Sequence, residues 1–156
     1  MLDDLEALYR DRLPEYTRAA TAIVGDRESG RDAVQDAFVK AVRKRRRFRS
    51  DGPLEAWVLR IVVNTARDAR RSGSRRAETP GGVAARGEVA VRAEELGLPL
   101  ELLTERQREV LFLHYYADLE YVTIAQALDI SEGTVGATLS AARLTLRNAL
   151  TKEVSR

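Results

Sequence analysis

Three features of this sequence have chemistry to offer: an asparagine inside a helical stripe (Asn64), six basic residues in the seven positions 43–49, and helix-turn-helix spacing over 122–147. An asparagine side chain presents two amide donors and a carbonyl acceptor, the set that reads a base edge. It is otherwise a poor helix former, so its place in mid-helix needs a reason. Clustered guanidinium and ammonium groups attract phosphate with salt-dependent strength. There is no nucleophile–base pair, no cluster with metal-ligand spacing and no phosphate-cradling glycine loop. Catalytic residues, a metal site and a cofactor are therefore not expected, and the chain reads as a non-enzyme. The one histidine, His114, lies beside Tyr115 and Tyr116 with no cysteine or second histidine near it, and reads as structural.

The elements that must position these groups are all helical. The 156 residues suffice for one larger domain or two small ones, and 44% are apolar, enough for packed cores. Residues 1–71 hold 16 Lys/Arg against 12 Asp/Glu, residues 72–100 hold 4 of each, and residues 101–156 hold 6 against 8. Attraction to nucleic acid is thus expected mainly from the first half. No run of apolar residues is long enough to cross a membrane. The acidic N-terminus (Asp3, Asp4, Glu6) is unlike a signal peptide, and cysteine is absent, so a cytoplasmic location is expected.

Three helices are predicted within 1–71. The first carries Leu5, Leu8, Tyr9, Leu13, Tyr16, Ala20 and Ile23 on one face, with Pro14 as a kink site. In the second, Ser29 and Asp32 form a capping box, and Val34, Ala37, Phe38, Ala41 and Val42 face inward. The third follows Pro53, with a stripe of Leu54, Trp57, Val58, Ile61, Val62 and Thr65; Trp57 is read as core. Residues 72–99, rich in glycine, read as a flexible linker with a helical turn near 89–96. A second, four-helix domain spans 100–156. Thr104 with Gln107 caps a helix carrying Val110, Leu111, Phe112 and Tyr115. Ile124, Ala125 and Leu128 mark a short helix, and Val135, Leu139, Ala142 and Leu146 a longer one. Asp129 is placed at the left-handed turn and Ser131 at the N-cap.

Together the two halves are more specific than either. Residues 30–43 (GRDAVQDAFVKAVR) and 48–71 (FRSDGPLEAWVLRIVVNTARDARR) resemble region 2 of the extracytoplasmic-function, group 4, sigma factors of bacterial RNA polymerase. Residues 103–143 (LTERQREVLFLHYYADLEYVTIAQALDISEGTVGATLSAAR) resemble their region 4. The resemblance implies a protein that binds core RNA polymerase and directs promoter-specific initiation, with an anti-sigma factor as a further partner and no membrane insertion. It implies polymerase contact by Gln35, Asp36, Val39, Lys40 and Arg43; on the residues alone, that face could equally be solvated. The single-stranded −10 element falls to Arg49, Ser50, Asp51, Gly52, Arg60, Asn64 and Arg67, since a flipped base needs a hydrogen-bonding pocket. The duplex −35 element falls to Ser131, Glu132, Gly133, Thr134, Thr138, Arg143 and Arg147.

The recognition helix departs from that family. Gly136, Ala137, Thr138, Ser140 and Ala141 stand where relatives carry mostly basic or larger polar residues, which should weaken −35 binding and flatten its salt dependence. A stand-alone helix-turn-helix regulator is the alternative reading. It would need no single-strand pocket in the first half.

Overall fold

The computed structural model describes residues 1–77 and 88–155, without the side chains of 74–77 and 90, so the centre of the expected linker and the terminal Arg156 lie outside the described residues. All regular elements among them are helices: α1 (Leu2–Val24), α2 (Arg27–Lys44), α3 (Leu54–Ala77), α4 (Glu88–Glu95), α5 (Glu105–Tyr115), α6 (Tyr121–Leu128) and α7 (Glu132–Val154), with 3-10 turns at Arg45–Arg47 and Leu100–Leu102.

Helices α1, α2 and α3 pack mutually as one unit. The predicted stripe of α1 holds: Leu5, Tyr16, Ala20 and Ile23 are buried, and Leu8, Tyr9 and Leu13 pack at the edge. Phe38 of α2 sits between two α1 rings, edge-on to Tyr9 at 5.0 Å and tilted to Tyr16 at 5.6 Å. Such aromatic pairs add to the area they bury. Helices α1 and α2 also touch at a glycine. A Cβ on Gly30 would lie 3.0 Å from the Thr21 backbone nitrogen and press on its Oγ1, so the close approach excludes any larger residue without movement.

Two expectations about α2 are corrected. Its N-cap is Asp26, whose carboxylate accepts from Ser29 N–H at 2.8 Å, so the Ser29–Asp32 capping box does not form. Aspartate caps as well as serine does, and left-handed Gly25 (φ 98°) closes α1 just before it, letting α2 begin earlier. Val42, expected inward, is 37% exposed.

In α3, Val58, Val62 and Thr65 are buried as predicted, but so are Leu59, Val63 and Ala66. A helix with neighbours on two sides buries more than one stripe, and α3 packs against α1 and α2 and also against α6. It also runs to Ala77, past the composition break at residue 71.

The second unit gathers α5, α6 and α7, so residues 100–156 hold three α-helices and the 3-10 turn Leu100–Leu102 where four helices were expected; α4, from the end of the expected linker, contacts that turn. The Val89 N–H donates to the Gly25 carbonyl at 3.0 Å and so ties α4 to the end of α1. Thr104 and Gln107 make both bonds of the capping box, at 3.0 and 3.1 Å. Asp129 takes the left-handed conformation (φ 56°, ψ 49°), and the Ser131 hydroxyl accepts from Thr134 N–H. Ile124, Ala125, Leu128, Val135, Leu139, Ala142 and Leu146 are buried as the spacing requires. Tyr115, expected inward, is 55% exposed, because α5 closes on α7 at its edge through that hydroxyl. His114 is structural: Nδ1 hydrogen-bonds the Leu119 carbonyl at 2.9 Å and the ring packs edge-on to Tyr121.

Candidate nucleic-acid interface

The basic run 43–49 ends α2 and turns into a loop in which Ser50 adopts a left-handed φ of 57°. That turn brings Phe48 against Trp57, rings 5.4 Å apart and tilted by 51°. The two rings border a cleft of about 340 Å³ whose other walls include Arg49, Asp51, Gly52 and Arg60. Trp57, read as core from its stripe, is half-buried: it packs against the core and also lines this cleft. Its stripe neighbours Val58 and Val62 turn fully inward, whereas Trp57 lies at the rim where Phe48 folds over it.

Along α3, Arg60, Asn64, Arg67 and Arg71 recur at three- and four-residue intervals and therefore share a face, which starts at the cleft. Asn64 is exposed, and its amide has no hydrogen-bond partner among the described residues. A cleft with aromatic and polar walls, continued by an open amide and guanidinium groups, suits an unstacked base followed by its backbone. Arg60 and Arg67 also reach the second unit. Arg60 donates to the Gln126 carbonyl at 3.1 Å, and Arg67 to Glu109 at 2.6 Å.

On α2, Gln35, Val39, Val42 and Arg43 line one side of a groove of about 710 Å³, and Leu2, Leu5 and Tyr9 of α1 line the other. Val39 is 50% exposed. Asp36 is exposed beside the groove, whereas Lys40 turns away and donates to Thr65 Oγ1 at 3.3 Å. The groove was only half legible in the sequence. Val39 and Val42, three residues apart on a helix, are the signal for it, and Leu2 has no such signal.

On α7 several predicted readers are already engaged. Ser131 caps the helix, Thr138 Oγ1 donates to the Thr134 carbonyl at 2.7 Å, and Arg143 Nε donates to Tyr115 Oη at 2.6 Å. Bonds to Tyr115 and Tyr121 raise the Arg143 pKa above its ordinary value, and its guanidinium lies 5.4 Å from the Tyr115 ring centre. Glu132, Gly133, Thr134 and Arg147 remain exposed. The outermost face, Ala137, Ser140, Ala141 and Leu144, bears no charge. Gly136 is not on that face; a Cβ there would meet the Tyr121 ring at 3.6 Å.

Residues 8–76 match the family model for sigma-70 region 2 and residues 93–146 that for sigma-70 region 4. Among relatives, the ECF RNA polymerase sigma-E factor of Escherichia coli (strain K12) is 30% identical over 136 residues, covering 75% of this chain and 71% of that protein. The chain belongs to the sigma-70 family, as a sigma factor of the ECF type. RNA polymerase sigma factor YlaC of Bacillus subtilis (strain 168) is similar over nearly its full length, with 28% identity over 96% of this chain and 94% of that protein. In fold, the chain is similar to the sigma factor RpoE solved in complex with the anti-sigma factor NepR from Bartonella quintana. The TM-score is 0.69 at 24% identity, over 95% of this chain and 97% of that one.

In this sigma factor most of the α1–α3 unit falls within the region 2 match, and α5, α6 and most of α7 fall within the region 4 match. A stand-alone regulator would account for the second match and not for the first. Among the described residues no helix is long and apolar enough to cross a membrane, and no three metal-ligating side chains cluster.

Proposed function

We propose that this sigma factor acts without catalysis of its own, in the cytoplasm, by joining core RNA polymerase and holding one strand of an opened −10 element. The α2 groove, with Gln35, Val39 and Arg43 at its edge, Asp36 beside it and Lys40 pinned to Thr65, is the docking surface for polymerase. An apolar floor with a polar rim suits a transient interface. The loop residues Arg49, Ser50, Asp51 and Gly52, with Arg60, Asn64 and Arg67, take the −10 strand. The observation that carries this reading is the open Asn64 amide on the face that continues from the Phe48–Trp57 cleft.

Region 4 reads the −35 element weakly. Ser131, Glu132, Gly133, Thr134 and Thr138 stand at the N-terminal end of α7, where backbone N–H groups favour a phosphate, and Arg143 and Arg147 lie further along. With Arg143 tied to Tyr115 and an uncharged outer face, few phosphate contacts remain. Run-off transcription with core polymerase tests this: scrambling the −35 element should leave most activity, and near-complete loss would refute the assignment.

An anti-sigma factor is the natural restraint. Besides the α2 groove, region 4 carries an apolar groove of about 700 Å³ between α4, α5 and α7, walled by Leu96, Leu111, Phe112, Leu146 and Leu150. Leu96 is 68% exposed beside it. Two such grooves, one on each unit, offer an amphipathic partner a seat on both.

A further inference from the structure

Region 4 holds two of the arginines that the preceding reading assigns to the −10 strand, Arg60 and Arg67, and with them their α3 neighbour Arg70. Glu109 of α5, with a side chain only 5% exposed, faces α3. Its Oε1 accepts from Arg67 Nη2 at 2.6 Å and from Arg67 Nε at 3.1 Å, and its Oε2 accepts from Arg70 Nη2 at 3.1 Å. Arg70 also pairs with Glu105, one helical turn before Glu109. At the other end of the contact, Arg60 donates to the Gln126 carbonyl and lies 3.6 Å from Asp129. Gln126 in turn forms one wall of the Phe48–Trp57 cleft. A carboxylate that accepts from two guanidinium groups, one on each oxygen, offers them what a backbone phosphate would offer, two anionic acceptor oxygens.

We propose that α5 and α6 form an intramolecular latch, in which Glu109 substitutes for a DNA phosphate on Arg67 and Arg70, and that the latch must open before region 2 can take single-stranded DNA. The inference rests on the assignment of the α3 face to the −10 strand. The contact is built to be switched. The carboxylate is nearly buried and stable there only while paired, because a buried charge without its partner is costly. DNA that claims Arg67 and Arg70 therefore removes the reason for Glu109 to stay. The same competition runs in reverse when DNA is absent.

The chain has no cysteine, so two can be introduced for labelling at exposed sites of the separate units, Arg18→Cys and Asn148→Cys. Energy transfer between the labels reports unit separation in the full-length protein. Fluorescence anisotropy with a short AT-rich single-stranded oligodeoxynucleotide reports binding. Glu109→Gln should lower transfer and tighten oligonucleotide binding roughly tenfold, as expected when a closed state that dominates the population is removed. Glu101→Gln, which makes the same charge change at an exposed site, should alter neither; an equal gain there would overturn the latch in favour of a net-charge effect. Circular dichroism confirms that both variants stay helical. Unchanged transfer in Glu109→Gln overturns the latch. Lowered transfer with no gain in binding overturns the competition with DNA. If run-off transcription is also indifferent to Asn64→Ala, the α3 assignment itself is what fails.

Discussion

Arg60 and Gln126 are 66 residues apart in sequence, yet the Arg60 guanidinium donates to the Gln126 carbonyl at 3.1 Å. The carbonyl belongs to the last turn of α6, where the partial negative charge of the helix end accumulates and a cation is favoured. On the proposed function Arg60 serves two partners at different times: the C-terminal end of α6 when the units are together, and the −10 strand when region 2 is engaged. Arg60→Ala should cost stability by only about 0.3–1 kcal/mol, since the site is solvent-screened. It should lower run-off transcription considerably more than that loss of stability explains. Urea unfolding beside a transcription assay separates the two effects.

Gly30→Ala tests the crossing of α1 and α2. The new methyl would meet backbone as well as the Thr21 hydroxyl, so the helices must part rather than a side chain rotate. A destabilisation of about 1–3 kcal/mol is expected from overpacking of this kind, offset only slightly by the better helix propensity of alanine. The urea midpoint should fall with little change in slope.

The caps of α2 can be told apart by substitution. Asp26→Ala should destabilise by about 1 kcal/mol, the usual cost of a lost N-cap. Ser29→Ala should cost much less, since what Ser29 contributes to the cap is its backbone N–H rather than its hydroxyl. Thermal melts of the two variants, measured together, decide which residue caps the helix.

Tyr16 makes folding sensitive to alkaline pH. Burial pushes its hydroxyl well above the ordinary tyrosine range, with Glu15 and Glu55 adding to the shift. Its hydroxyl lies 3.4 Å from the Glu55 carbonyl, a long hydrogen bond. The folded state therefore keeps a proton that the unfolded chain releases near pH 10, at about the reference value. The contribution of Tyr16 is present below that pH and is lost as pH rises above it. Stability should fall as pH rises above roughly 10, and Tyr16→Phe should flatten that part of the profile, measured by urea unfolding at stepped pH.

Much of this molecule was legible in its sequence because local chemistry and packing agree. The Thr104–Gln107 box, left-handed Asp129 and the Ser131 cap each follow from one residue type in one local role, and each is present. What local patterns missed is contact between units. Leu59 and Val63 are buried off the predicted stripe, on a helix that packs against α6 as well as α1 and α2; within the second unit, Tyr115 is exposed and its hydroxyl accepts from Arg143 of α7. The site shows the same split. The helical spacing of Arg60, Asn64 and Arg67 could be read off directly, but not the role of Arg60 and Arg67 as partners of Gln126 and Glu109.

On the proposed function region 2, through the Asn64 face of α3, carries promoter opening. The most direct test is run-off transcription by core polymerase with wild-type protein and Asn64→Ala, alongside a pull-down of core by each. Asn64→Ala should still capture core polymerase, keep its thermal stability, and lose roughly tenfold or more of initiation, as expected if one base-edge contact worth about 1–3 kcal/mol is removed. Wild-type levels of initiation from Asn64→Ala, with core binding intact, would contradict it.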